Sequence, residues 1–234
     1  MPSTAPHPPD SQIDHASSIR YWNEVSADVN GMLGGYPQVS RIDLRGSANF
    51  MAKVRRLLPG TPSGKLPLGV DCGAGIGRVT EGFLSQVCEV VDVVEPVEKF
   101  ARVIRDGKLK KDGVVGDIYV TGLENWTPEK KYDVIWNQWC VGHLTDAQLV
   151  AYLARCRTAL TESGFVVVKE NISTDADGED IYDELDSSVT RTDRKFRAIF
   201  KESGMNLIKT EEQLGFPKSL KLFPVRFYAL RPES

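Results

Sequence analysis

Val70-Asp71-Cys72-Gly73-Ala74-Gly75-Ile76-Gly77-Arg78 follows the apolar stretch Leu66 to Val70 and sets three glycines at every second position. It reads as a strand, a tight turn and the start of a helix. Glycine is needed there because the backbone must turn through unusual dihedrals and let a ligand approach where a side chain would collide. A dinucleotide-binding loop would carry its third glycine one residue later, where Arg78 stands, so the spacing points to a different nucleotide-like cofactor. Downstream, the mostly apolar run Val87 to Val94 ends in Glu95, about 20 residues beyond the loop. A doubly wound fold places the carboxylate that accepts from ribose hydroxyls at that distance. One acid at a strand end caps a helix equally well. Beside the glycine loop it is read as a cofactor ligand.

Outward from the loop, strands and helices alternate. The pattern predicts strands over 66–71, 89–95, 114–120, 132–138 and 164–170, with helices over 77–86, 97–107 and 145–160. That alternation implies a parallel sheet covered on both faces. Ahead of it, Ile19, Trp22, Val25 and Val29 fall at helical spacing, the glycine-broken stretch Gly31 to Tyr36 follows, and a helix is expected over 47–58. Behind it, a helix near 189–203 and strands near 206–210 and 225–230 are expected. The first dozen residues hold four prolines and few large apolar groups, which predicts a flexible tail over 1–14. Residues 15–234 read as a single domain with a helical extension over about 15–60.

A chain of 234 residues with 41% hydrophobic and 26% charged residues has the makeup of one globular domain. The net charge of −3 supplies no broad basic field, so nucleic acid is not expected as a partner. Cys72, Cys88, Cys140 and Cys156 form no Cys-x-x-Cys pair and read as buried free thiols of a reducing compartment. The first residues have no signal-peptide character and no apolar span reaches membrane length. A soluble, cytoplasmic protein, present in the nucleus as well, is expected, with no membrane contact. The acidic stretch Ser173 to Asp180 reads as a solvated loop, with no metal expected there or elsewhere.

Ligands of an open parallel sheet bind beyond the carboxyl ends of its strands. There the chain places Trp136 to His143, then Lys169-Glu170-Asn171, then Asp183 to Ser188: aromatic walls, an imidazole, an amide and acids. Taken singly, His143 and Asp186 would be helix-start residues and Trp136 and Trp139 core aromatics.

The acid-x-Gly-x-Gly-x-Gly loop resembles the first motif of S-adenosylmethionine-dependent methyltransferases. Tyr21-Trp22, Gly31-Met32-Leu33-Gly34-Gly35-Tyr36, Asp71 to Arg78, Trp136 to Asp146, Lys169-Glu170-Asn171 and Asp186-Ser187-Ser188-Val189 resemble the eukaryotic protein N-terminal methyltransferases. Those enzymes modify the α-amine of Xaa-Pro-Lys or Xaa-Pro-Arg termini. The resemblance runs from about Ile19 to the last strand. It implies an α/β fold of class I methyltransferase type: Rossmann-like, with a seven-stranded, mostly parallel sheet, a closing antiparallel hairpin and N-terminal helices.

Carried over by position, the resemblance implies that Gly73, Gly75, Arg78, Glu95, Pro96, Val97, Leu123, Glu124, Gln138 and Trp22 hold S-adenosyl-L-methionine, with S-adenosyl-L-homocysteine as product. Arg78 suits a methionyl carboxylate and Glu95 ribose hydroxyls. Asp186 and His143 are the implied catalytic pair, orienting the amine and relaying its proton. Asn171 is expected on the substrate backbone, Trp139 against the proline ring, and Asp183 with Asp186 at the third-residue cation. Tyr21 is expected to close over the channel, with Leu33, Ser188, Leu222 and Phe223 in its wall. Protein N-termini, ribosomal proteins among them, are the implied partners of a monomer. Two alternatives share the loop: a methyltransferase for a small-molecule acceptor, and a non-catalytic cofactor-binding interaction module. The acid pair with its aromatic slot, and the presence of His143, Asn171 and Asp186, argue against each in turn.

Overall fold

The computed structural model describes residues 8–233, so the expected tail over residues 1–7 and the final Ser234 lie outside the described residues. After a 3-10 turn at Pro9–Gln12, helices α1 (His15–Glu24), α2 (Val29–Met32) and α3 (Ser40–Leu57) precede strand β1 (Leu66–Cys72). A π-helical turn, Thr80–Leu84, runs into the short α4 (Ser85–Val87) and on to β2 (Cys88–Val94). Next come α5 (Glu98–Asp106), α6 (Lys108–Lys111), β3 (Val115–Tyr119), β4 (Tyr132–Gln138), α7 (Asp146–Thr158) and β5 (Leu160–Asn171). A small hairpin of β6 (Ile181–Asp183) and β7 (Ser188–Thr190) leads to α8 (Asp193–Glu202), β8 (Met205–Glu212) and β9 (Val225–Pro232).

Seven strands form one sheet in the order β3-β2-β1-β4-β5-β9-β8. The first five are parallel, and β9 lies antiparallel between β5 and β8. From β1 the chain winds one way through β2 and β3, then returns to β4 and β5 on the other side. The loops after β1 and β4 diverge there and leave a crevice. Register pairs Asp71 with Trp136 and Cys72 with Asn137, which sets the glycine loop beside Gln138 and Trp139.

Every residue of β4 is buried, as a central strand covered on both faces requires. One face packs Phe50, Met51 and Val54 of α3 on Trp136, Val167 and Phe227. The other packs Leu149 and Leu153 of α7 with Phe196 and Phe200 of α8 on Ile135, Val166 and Tyr228.

Several boundaries differ from the sequence expectation for physical reasons. The helix expected over 47–58 starts at Ser40, because Asp43, which breaks the apolar pattern, is buried among polar partners. Between residues 77 and 86 the ladder widens into the π turn, a form common beside functional sites. Val189 is not helical but lies in β7; α8 begins only after Thr192, whose Oγ1 caps it by accepting from Lys195 N at 3.2 Å. Residues 8–14, expected within the flexible tail, make long-range contacts instead. Asp10 Oδ2 accepts from Asp146 N at 2.9 Å and Asp14 N donates to Ser187 Oγ at 2.8 Å. Proline content alone does not reveal such distant partners. All four cysteines are free and buried, and no helix among the described residues is long and apolar enough to cross a membrane.

Candidate active site

Two cavities meet at the carboxyl end of the sheet. The first, of about 350 Å³, opens over the glycine loop. Gly73 and Gly75 take φ of 66° and 56°, in the left-handed region. A Cβ at Gly73 would run into the Cβ of Cys140, and one at Gly75 would stand 2.6 Å from Met32 Sδ. Side chains are therefore excluded both by backbone angle and by close neighbours. Beneath the turn, Thr80 Oγ1 donates to Asp71 Oδ2 at 2.6 Å, and burial pushes the Asp71 carboxyl up to about 6.

Glu95 meets both the glycine loop and the start of α5. Its Oε1 accepts from Val97 N, the N-cap residue of α5, at 2.8 Å, and its Oε2 accepts from Gly75 N at 2.7 Å. Each oxygen keeps a further lone pair for a hydroxyl donor. Burial pushes this carboxyl up to about 7.

All ten residues expected to hold a cofactor line this cavity: Trp22, Gly73, Gly75, Arg78, Glu95, Pro96, Val97, Leu123, Glu124 and Gln138. Arg78 and Gln138 are both engaged by Asp43. Arg78 Nη1 donates to Asp43 Oδ2 at 2.8 Å and to Ser40 Oγ at 3.3 Å. Gln138 donates from Nε2 to both Asp43 oxygens at 2.9 Å, and its Oε1 accepts from Trp136 Nε1 at 3.2 Å.

The second cavity, of about 450 Å³, is lined by Leu33, Trp139, His143, Asn171, Asp186, Ser188, Leu222 and Phe223, all expected around an acceptor. Trp22, Met32, Trp139 and His143 line both cavities and form their shared boundary. Tyr21 and Asp183 line neither. Tyr21 packs edge-on to Trp22 with centroids 5.3 Å apart; burial, then the charges of Asp186 and Asp183, push its phenol up. Asp183 is exposed, and its Oδ1 accepts from Leu185 N at 2.8 Å in the hairpin turn.

Two polar atoms of the second cavity's wall are buried without a hydrogen-bond partner: the donor Trp139 Nε1 and the acceptor Asp186 Oδ1. Such atoms are costly unless a ligand satisfies them. Trp139 is also held at φ 53°, outside the usual range for a bulky residue, by its place after β4, where its N–H donates to Lys169 O at 3.0 Å. Asp186 precedes Ser187, which has φ 55° in the turn between β6 and β7, so Asp186 caps no helix.

His143 ends a short 3-10 turn, Val141–His143, and both ring nitrogens are engaged. Nδ1 lies 3.0 Å from Ser18 Oγ, and Nε2 accepts from Trp22 Nε1 at 3.3 Å. Burial pushes its pKa below the ordinary 6.5, against the pull of the Asp186 charge. Ser18, Met32 and Glu170 line these cavities and were not anticipated. For Ser18 the only signal was proximity to Tyr21-Trp22, while Met32 sat inside the glycine-broken match Gly31 to Tyr36. Glu170 sat inside the Lys169-Glu170-Asn171 match. It accepts through Oε1 from Cys140 N and Val141 N, at 2.7 and 2.9 Å.

Comparison with known proteins agrees with this geometry. The profile of a family described as AdoMet dependent proline di-methyltransferase matches residues 10–231. An alpha N-terminal protein methyltransferase 1 from Schizosaccharomyces pombe is 42% identical over 96% of this chain and 99% of its own length. An N-terminal Xaa-Pro-Lys N-methyltransferase 1 from Xenopus tropicalis is 38% identical over 93% of this chain and 95% of its own. Among solved structures, a SAM-dependent methyltransferase from Leishmania major superposes with a TM-score of 0.83 at 35% identity, covering 93% of this chain and 82% of that one.

Proposed function

The chain belongs to the family of AdoMet-dependent proline di-methyltransferases, and we propose that it methylates the α-amine of protein N-termini beginning Xaa-Pro-Lys or Xaa-Pro-Arg. The observation that carries this reading is the pair of unpartnered buried atoms, Trp139 Nε1 and Asp186 Oδ1, in the wall of a cavity that shares Trp22, Met32, Trp139 and His143 with the glycine-loop cavity. A donor and an acceptor waiting in one slot suit a peptide terminus, which brings a carbonyl and an amine.

The residues present fit S-adenosylmethionine. Bare backbone at Gly73 and Gly75, a buried carboxylate with lone pairs to spare and a guanidinium at the cavity wall answer its adenosyl ribose and methionyl carboxylate. Bound there, the cofactor supplies a methyl group already activated on a sulfonium.

The chain's own residues then have two tasks, alignment and removal of one proton. An α-amine has an ordinary pKa of about 7.7 to 8.0, so deprotonation near neutral pH is cheap. Asp186 Oδ1 orients the amine and takes its proton. His143 is neutral and its Nε2 is occupied by Trp22, so it acts second, once Trp22 moves away. The Trp139 ring forms the wall for the second-residue proline, and its Nε1 donates to a peptide carbonyl. Asn171 binds the backbone of the first residues, while Asp183 and Tyr21 act at the rim, where the third-residue cation arrives.

Ribosomal proteins with such termini are the substrates we propose, acted on by a monomer in the cytoplasm and nucleus. The four buried free thiols support a reducing compartment. The test is methyl transfer to a Ser-Pro-Lys-Arg peptide, beside N-acetylated and Pro-to-Ala copies, with mass spectrometry to locate the methyl group. Transfer to the free α-amine alone, lost in both altered peptides, is expected. Transfer to the acetylated copy, or none to any peptide by a protein that binds the cofactor, would overturn the reading.

A further inference from the structure

Behind Arg78 lies a charged cluster that methyl transfer itself does not use. Asp43, on α3, is wholly buried, and its carboxylate accepts from Arg78 Nη1 at 2.8 Å, from Gln138 Nε2 at 2.9 Å and from Lys169 Nζ. Lys169, on β5, is 0% exposed and also donates to Ser47 Oγ at 3.0 Å and to the Asp43 carbonyl at 3.1 Å. Among the described residues, no carboxylate besides Asp43 pairs with Arg78 or Lys169. Two cations therefore share one ion-paired anion; the other carboxylate that acts on Arg78, the buried Asp71 beneath the turn, makes no ion pair with it. Arg78 and Gln138 carry this cluster to the wall of the first cavity.

We propose that Lys169, acting through Asp43 and Arg78, is a proton-linked counter-charge for the methionyl carboxylate of the cofactor. An arriving carboxylate completes a set of two cations and two anions, and Lys169 then holds its proton more tightly than before. The inference rests on the reading that Arg78 meets that carboxylate.

The surroundings of Lys169 support it. Asp43 from α3 and Arg78 from the loop after β1 are the charged groups that act on it. The other neighbours are aromatic rings, Phe227 of β9 and Trp139 after β4, with centroids 4.5 and 5.7 Å from Nζ. Burial pulls the ammonium down to about 8, with Asp43 holding it up and Arg78 pushing it down. Lys169 is thus a positioning residue whose charge state is open to change near working pH, in a cluster that pairs two cations with one carboxylate.

The experiment is calorimetry of S-adenosylhomocysteine binding to the full chain near pH 8, in buffers of differing ionisation enthalpy. The comparison ligand is 5′-methylthioadenosine, which lacks the amino-acid portion. Homocysteine-ligand binding is expected to take up about half a proton more than methylthioadenosine binding, and its affinity to fall by up to about tenfold between pH 8 and pH 9. In Lys169→Met both effects shrink to what the ligand's own α-amine contributes, while methylthioadenosine affinity stays as it was. Equal proton uptake for the two ligands, or uptake unchanged in Lys169→Met, would overturn the inference. Should that variant fold poorly, Lys169→Gln, which keeps a hydrogen-bond donor for Ser47 and leaves the Asp43–Arg78 pair intact, takes its place. Arg78→Met separates the two levels of reading. If it leaves the preference for S-adenosylhomocysteine over methylthioadenosine intact, the assignment of Arg78 to the carboxylate fails; if it abolishes the preference while no Lys169-linked proton is found, only the present inference fails.

Discussion

Trp22 Nε1 donates to His143 Nε2 at 3.3 Å, with Ser18 Oγ 3.0 Å from the ring's other nitrogen. A ring nitrogen that accepts an indole N–H carries no proton, so neutral His143 keeps its proton on Nδ1 and donates it to Ser18. Helix α1 therefore fixes both tautomer and charge of the imidazole, and His143 is free to accept a proton only when Trp22 withdraws.

Trp22→Phe keeps the aromatic bulk and removes the donor. Because the indole N–H favours the neutral ring, the His143 pKa should move up from its lowered value toward 6.5. Imidazole resonances followed by NMR through the titration measure this directly; a curve superimposable on that of the unaltered protein would refute the assignment of the tautomer.

Asp186→Asn preserves size but replaces the unpartnered carboxylate. Transfer to a Ser-Pro-Lys-Arg peptide should fall by about 10²- to 10⁴-fold, the ordinary reach of acid-base assistance. Cofactor-product affinity should hold, since Asp186 lines only the acceptor cavity. A variant retaining most of its rate would remove Asp186 from the chemistry.

Gly73→Ala and Gly75→Ala should separate in stability. Both require a left-handed alanine, at about 1 to 2 kcal/mol each. At Gly73 the new Cβ also meets Cys140 Cβ, close to the backbone, whereas at Gly75 it meets the flexible end of Met32. Thermal unfolding should show Gly73→Ala as the less stable, with S-adenosylhomocysteine binding weakened in both. The reverse order of melting temperatures would contradict the packing described.

Burial pushes Glu170 from an ordinary 4.5 up to about 7, so its folded pKa exceeds its unfolded one. Its contribution to stability is full below 4.5 and is lost as pH rises through about 7, with an upper bound of about 3 kcal/mol. Glu170→Gln mimics the neutral carboxyl and should gain stability over the unaltered protein as pH goes from 5 to 8. A melting-temperature difference that stays flat over this range would disprove the assignment.

The parts of the site that could be read from sequence are those whose chemistry is local. Gly73 and Gly75 are needed by the backbone at their own positions, and Glu95 directly follows β2, two residues before the N-cap whose N–H it accepts from. What escaped notice depends on partners far along the chain. Lys169 and Asp43 are 126 residues apart and Ser18 and His143 are 125 apart, and neither pair leaves a periodic trace. Asp43 even masked the start of α3, since an acid amid apolar positions reads as a break. Trp139 and Asp186 were picked out as members of a motif, but their unpartnered atoms belong to the folded cavity. Tyr21 lay in a matched segment and Asp183 just ahead of one, yet they stand outside both cavity walls.

The closure of Asp14 N on Ser187 Oγ spans 173 residues, and β9, the strand latest in the chain, lies between β5 and β8 rather than at an edge. Loops of this length are slow to close, and strand insertion into a sheet interior awaits both neighbours. Folding should therefore finish at the acceptor cavity. The five parallel strands and their glycine loop can assemble early, before the wall carrying Asp186, Leu222 and Phe223 exists. A partly folded chain would then recognise nucleoside well before it could recognise a protein terminus.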